Sequence, residues 1–239
     1  MIIDLEKLKD LDLKAFFFDM DGVLFDSMSN HAKAWCSAFD DLGIEFSAYD
    51  AYMREGMTGA STIRDAFTRQ LGRDASEEEC KRIYKVKSHY FESLPPAVPM
   101  EHVLDVLKTV KAAGLDIFLV TGSGQVSLLD KLNYFFPNIF HREKMVTAFD
   151  VKKGKPDPEP YLMALKKGGY EKNQAIVVEN APLGVRSAVS AGIFTIAVNT
   201  GILEDKELSG NGAGVIYSKM QELYTELPEI IKRSKMIDL

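Results

Sequence analysis

Cysteine and histidine are scarce in this chain, with 2 and 4 copies among 239 residues. Cys36 and Cys80 form no CxxC pair and have no histidines at zinc-ligand spacing, which excludes a structural zinc module and a disulfide scaffold. Both fall in helical patterns and read as free thiols of a reducing compartment. Positive charge is in short supply too: 29 Lys and Arg against 35 Asp and Glu, mixed along the chain for a net −6. No basic stripe emerges, so a nucleic-acid surface is not expected. The N-terminus lacks a basic-then-apolar leader layout, and no apolar run approaches a bilayer span. There is no GxxxxGK[ST] loop, and Gly122 and Gly124 lack the third glycine of a dinucleotide fingerprint. Internal repeats and low-complexity stretches are missing as well. A cytoplasmic monomer with no membrane or nucleic-acid partner is the expectation.

What is present starts at Ala15-Phe16-Phe17-Phe18-Asp19-Met20-Asp21-Gly22. Four apolar residues in a row read as a strand buried on both faces. The run stops at two aspartates one residue apart. Such a pair is either a turn whose acids bond their own backbone, or a pair of carboxylates held at the ligand-binding edge of an α/β sheet. Beyond Asp26 the character changes. Helical patterns cover 30–42, 47–55, 61–71 and 76–94, the last opened by Ser76-Glu77-Glu78-Glu79 in capping-box form. Pro95, Pro96 and Pro99 close the block.

The α/β rhythm then returns, with strands at 116–120, 145–147, 175–178 and 194–198 and helices at 101–113, 127–135, 158–167 and 183–191. No element is read after Val198. The fold class is therefore α/β: a Rossmann-like parallel sheet core formed by residues 1–26 and 97–239, with an inserted α-helical domain over 27–96.

Successive strand ends carry Asp19 and Asp21, then Thr121 and Ser123, then Glu179 and Asn180. Lys155 lies in the loop Lys152-Lys153-Gly154-Lys155-Pro156-Asp157-Pro158. In a parallel sheet these loops converge on one edge. They offer carboxylate and amide oxygens, one hydroxyl and one cation, a set suited to a hard cation such as Mg²⁺ and a phosphate. Singly, Thr121 reads as a turn residue, Lys155 as part of a solvated lysine cluster, and Asn180 as a helix cap.

Taken together and in this order, Asp19-Met20-Asp21-Gly22-Val23, Thr121, Lys155 and Glu179-Asn180 resemble the four motifs of the haloacid dehalogenase superfamily. The helical insertion after the first motif resembles its small-cap subclass. Asp26-Ser27, His31, Ala34, Trp35 and Glu179-Asn180-Ala181-Pro182-Leu183-Gly184 resemble its β-phosphoglucomutase-like branch. The resemblance implies that Asp19 is a nucleophile forming an aspartyl-phosphate and Asp21 the general acid and base. It implies that Thr121 holds a phosphoryl oxygen and that Lys155 screens the two anions. Mg²⁺ would be held by Asp19, Asp21, Asn180 and Glu179, the last directly or through water. The substrate would touch Glu55, Gly122, Ser123, Gln125 and His31.

Mutases of that branch supply an arginine where this chain has Gly59, and a lysine–asparagine pair where it has Gly124 and Gln125. Arg54 or Arg64 is the only nearby compensation. The expectation is therefore a Mg²⁺-dependent phosphohydrolase acting on a small phosphorylated metabolite or inorganic pyrophosphate. A β-phosphoglucomutase and a non-catalytic metabolite-binding protein stand as the alternatives.

Overall fold

Alternation along Ala15–Phe18 (β1) sends Phe16 and Phe18 to one face and Phe17 to the other. Such a strand is stable only with helices on both sides. The computed structural model describes residues 5–123 and 126–234, with backbone alone at 5–7 and 126–130. In chain order its other strands are Phe25–Asp26 (β2), Val98–Pro99 (β3), Asp116–Val120 (β4), Met145–Val146 (β5), Ala175–Glu179 (β6), Phe194–Val198 (β7) and Val215–Tyr217 (β8). Six of them form one parallel sheet in the order β5-β4-β1-β6-β7-β8.

The chain builds outward from β1 through β4 to β5, then returns to lay β6 on the other side of β1. That reversal opens a crevice beyond the carboxyl ends of the central strands. Phe18 pairs with Leu119 and with Val178, so the residues that follow, Asp19, Val120 and Glu179, arrive at one level.

Phe16 and Phe18, with ring centroids 5.9 Å apart, face a cluster supplied by Val103–Ala112 (α5) and Met220–Arg233 (α10). Phe17 packs on Phe118 at 5.1 Å, covered by Glu159–Gly168 (α7) and Pro182–Ser190 (α8). Val126–Phe135 (α6) follows β4, and Asp205–Ser209 (α9) lies between β7 and β8. The elements β8, α9 and α10 are additions to the sequence reading. The three-residue β8 is too short to show a period, whereas α10 does show one, with Met220, Leu223, Leu227 and Ile230 buried at helical spacing.

Between β2 and β3 the chain forms four helices: Met28–Asp40 (α1), Ala48–Met53 (α2), Gly59–Leu71 (α3) and Glu77–Ser93 (α4). Ser47 with Asp50, and Ser76 with Glu79, close capping boxes at the starts of α2 and α4. The block has an apolar centre of its own around Trp35, Phe39, Ile63, Phe67 and Ile83. It joins the sheet through β2 and β3, which pair antiparallel with Phe25 opposite Pro99 and Asp26 opposite Val98. This two-strand tie was not legible in sequence, because two residues carry no alternation. No helix among the described residues is long and apolar enough to cross a membrane.

Candidate active site

The crevice at the β1, β4 and β6 ends holds Asp19, Asp21, Thr121, Lys155, Glu179 and Asn180, all buried. Lys155 is at the centre. Its Nζ donates to Asp19 Oδ1 and to Glu179 Oε1, both at 2.5 Å, and to the Val120 carbonyl at 3.1 Å. Those three bonds use every proton of the ammonium. Burial alone would lower its pKa, but the Asp19 and Glu179 carboxylates outweigh burial and hold it above the usual lysine range. The loop presenting it is pinned where Glu159, in the first turn of α7, accepts from the Lys152 and Lys153 amides at 2.9 Å each.

Glu179 is saturated as well. Oε1 takes Lys155 and the Tyr161 hydroxyl (2.7 Å), and Oε2 takes the Asn180 and Ala181 amides (3.1 and 3.4 Å). Its carboxylate thus positions Lys155 and the turn into α8, where Pro182 begins the helix. Burial, reinforced by Glu179 and Asp21 and opposed by Lys155, raises the Asp19 carboxyl above the ordinary range.

Asp21 faces the helical block. Ser27 Oγ donates to its Oδ1 at 2.6 Å, and His31 Nε2 lies 3.2 Å from the same oxygen. Lys87 Nζ stands 2.8 Å from His31 Nδ1. An ammonium only donates, so the network assigns a lone pair to Nδ1 and the proton to Nε2, directed at Asp21. Burial opposes ionisation of Asp21, yet His31, Ser27 and Lys87 together hold its pKa below the ordinary value. Lys87 sits 4.8 Å from the Phe91 ring centroid and 5.4 Å from that of Trp35, contacts that favour the cation.

Burial dominates nonetheless and brings the Lys87 ammonium down to about 7. From about pH 7 to 10.5 the unfolded chain therefore binds a proton that the folded chain has lost. Stability should climb with pH across that window, by on the order of 3–5 kcal/mol. Thermal melts of wild type and Lys87→Met over this range check it; parallel curves would refute the assignment.

Ser27, Lys87 and Tyr161 were not singled out as site residues. Lys87 did carry a signal: it occupies the inward stripe of α4 with Cys80, Ile83 and Phe91, where a lysine is out of place. His31, expected against the substrate, lies on Asp21 while also lining the cleft. Thr121 Oγ1 accepts from the Ser123 amide at 3.0 Å, leaving its hydroxyl proton to donate elsewhere. Gly122 and Ser123 line the cleft, and Gln125 lies outside the described residues.

The helical block closes over this crevice. Gly56, at φ +87°, lays its backbone against the Lys155 stem and its carbonyl on Gly122, where a Cβ on either glycine would collide. Glu55 Oε1 and Oε2 accept from Asn180 Nδ2 at 3.1 and 2.9 Å. Burial, with Asp19, Glu179 and Asp21 adding to it, pushes the Glu55 carboxyl well above its ordinary pKa.

Four carboxyl groups thus share one cleft with a single saturated ammonium between two of them. Asn180 Oδ1 is buried and has no hydrogen-bond partner, an uncommon state for a buried acceptor. Gly22, at φ +82°, leaves the room that Asn180 occupies. No three His, Cys, Asp or Glu side chains among the described residues converge as a metal-holding group. The buried Asp19 carboxylate and the unpartnered Asn180 Oδ1 are oxygen donors of the kind a hard cation takes. That donor set suits Mg²⁺, which keeps waters and needs few protein ligands.

A family model for haloacid dehalogenase-like hydrolases matches residues 16–198. The chain belongs to that family. Among solved structures, this haloacid dehalogenase-like protein is 48% identical to one from Bacteroides vulgatus described as a "Putative beta-phosphoglucomutase". The match covers 98% of this chain and 100% of that one, with a TM-score of 0.92. Phosphorylated carbohydrates phosphatase from Thermotoga maritima is 28% identical over 92% of this chain and all of its own length. Validoxylamine A 7'-phosphate phosphatase from Streptomyces hygroscopicus subsp. limoneus is 28% identical over 78% of this chain and 86% of its own. The haloacid dehalogenase-like chain is an enzyme of the phosphatase type.

Proposed function

We propose that the protein is a Mg²⁺-dependent phosphohydrolase acting through an aspartyl-phosphate on Asp19, with a compact phosphorylated metabolite or inorganic pyrophosphate as substrate. The observation that carries the reading is Asp19 held at 2.5 Å by Lys155 at a strand end, beside an unpartnered Asn180 Oδ1. Bound Mg²⁺ would neutralise charge on the phosphoryl oxygens. Asp19 attacks phosphorus in line with the leaving oxygen. Lys155 offsets repulsion between the carboxylate and the phosphate, and Thr121 donates to a phosphoryl oxygen. An anionic phosphate beside Asp21 raises the proton affinity of that carboxyl. Asp21 then protonates the leaving group and later takes a proton from the water that cleaves the aspartyl-phosphate. His31, held by Lys87, fixes the orientation of Asp21. Residues 27–96 act as the cap domain of residues 1–26 and 97–239, closing over the cleft to exclude bulk water.

The cleft holds only about 70 Å³ of free volume, which favours a compact leaving group. Glu55 reaches Asn180 from the cap, where an acid would sit well against a cation and poorly against a second bare phosphate. The relationship to the Bacteroides vulgatus protein keeps a mutase as the second reading. A mutase needs cations for a second phosphate; of the two candidate arginines only Arg54 lines the cleft, and both are paired with acids. Arg54 bonds Asp65 at 2.5 Å and Asp50 at 2.8 Å, and Arg64 pairs with Glu77.

Phosphate release should be seen with Mg²⁺ from pyrophosphate or small phosphomonoesters, without conversion of β-glucose 1-phosphate to glucose 6-phosphate. A substrate panel decides it. Efficient isomerisation dependent on a sugar bisphosphate would replace the hydrolase reading with the mutase.

A further inference from the structure

A second hollow lies against the catalytic cleft. It has a volume of about 220 Å³ and is walled by Ala60, Cys80, Lys81, Ala148 and Phe149, between α3, α4 and the turn after β5. Gly59, Tyr84 and Gly122 line both spaces. Two of these three are glycines, so the Tyr84 ring is the one side chain common to the two walls. Its position is fixed from the cleft side. The ring lies so close over Gly59 that a Cβ there would strike it. Trp35 packs at 6.3 Å between centroids, and Lys87 Nζ stands 6.0 Å from the ring centroid. The tyrosine also packs on the apolar centre of the helical block, but that alone does not place it between two spaces.

We propose that Tyr84 sets the size limit of the leaving group, and that the hollow behind it is a dormant subsite for a flat apolar leaving group attached to phosphate. This deepens the compact-substrate reading and rests on it. Free volume in the cleft is about 70 Å³ with the ring in place. Without the ring, the cleft and the 220 Å³ hollow run together. An apolar cavity of about 150 Å³ accommodates a benzene ring, so the hollow has room for a larger aryl group. Ala60, Cys80, Ala148 and Phe149 supply apolar contact, and Lys81 and Glu77 supply polar groups. Gly59 belongs to the same device: any side chain there would displace the ring.

Binding of methylphosphonate and of 1-naphthylmethylphosphonate, measured by titration calorimetry with Mg²⁺ on the full chain, tests the partition. Neither compound is turned over, so the result does not depend on the hydrolase assignment, which the substrate panel tests separately. Tyr84→Ala should tighten the naphthyl compound relative to the methyl compound by about 10-fold or more, as burial of one aryl ring predicts. Tyr84→Val, which keeps part of the packing on Trp35, should do so in the same direction. Adding Ala148→Phe to either variant refills the hollow and should cancel the gain, whereas Tyr84→Phe should keep the wild-type ratio. An unchanged ratio in folded Tyr84→Ala or Tyr84→Val would overturn the proposal. So would a gain that survives Ala148→Phe.

Discussion

Asp19→Asn should lower turnover by roughly 10⁴-fold or more, the scale seen when a covalent nucleophile is removed. The amide keeps the shape of the carboxylate and can still accept from Lys155, which now donates at 2.5 Å. It cannot attack phosphorus to give a phosphoanhydride. The loss should therefore appear in kcat, with substrate still bound and the thermal midpoint within a few degrees of wild type. Single-turnover assays with labelled substrate check this directly. Wild type should carry label on the peptide containing Asp19, and the variant should carry none. Equal labelling in both would assign the nucleophile elsewhere.

Lys155→Met should have the largest effect on stability. Lys155 is 2% exposed and lies between two carboxylates that are themselves 4% and 1% exposed. Methionine fills the volume but leaves Asp19 and Glu179 facing each other with no cation between them. Removing one partner from a buried ionic group costs about 3–5 kcal/mol, or roughly 6–20 °C in midpoint for a chain of this size. The penalty arises from ionised acids, so its sign with pH is set. With its cation gone, the Asp19 carboxyl, already raised by burial, has a folded-state pKa still further above its unfolded one. The folded variant then binds more protons than the unfolded chain, and its stability falls as pH rises. Thermal melts in metal-free buffer should show a wider gap from wild type at pH 8 than at pH 5. Added Mg²⁺ should close part of that gap. A midpoint unchanged at pH 8 would mean that Lys155 is not the compensating charge.

The central strand and the acids behind it were legible because a doubly buried strand needs an unbroken apolar run, and Ala15–Phe18 is one. The capping box at Ser76 is written in side chains three residues apart, so it too can be read locally. Lys87 shows where local reading fails. Its place on the inward stripe of α4 is visible in sequence, but its partner His31 is 56 residues away. Glu55 is a similar case: an acid near a helix end is usually solvated, and only the meeting of the block with the sheet brings it, half-buried, against Asn180, 125 residues later. Glu179 is read in part by each route. The motif resemblance put it at the metal directly or through water, and in the fold its two oxygens also accept from Lys155, Tyr161 and two amides.

By itself, then, the sequence determined the α/β core, the helical insertion and the family to which the chain belongs. These depend on periodicity, turn chemistry and short motifs, all carried by neighbours in the chain. Tertiary structure alone decided that Lys155 is shared between the Asp19 and Glu179 carboxylates, that Asp21 is held through His31 and Lys87, and that Tyr84 lies between the cleft and a second hollow. Each of these is a matter of charge or volume summed over residues far apart in sequence. Coulomb energy, desolvation and excluded volume depend on distance in space, which no local pattern records. Asp19 and Asp21 could be recognised as a pair before the fold was known, but not that burial would raise the carboxyl of the first while His31, Ser27 and Lys87 lower that of the second.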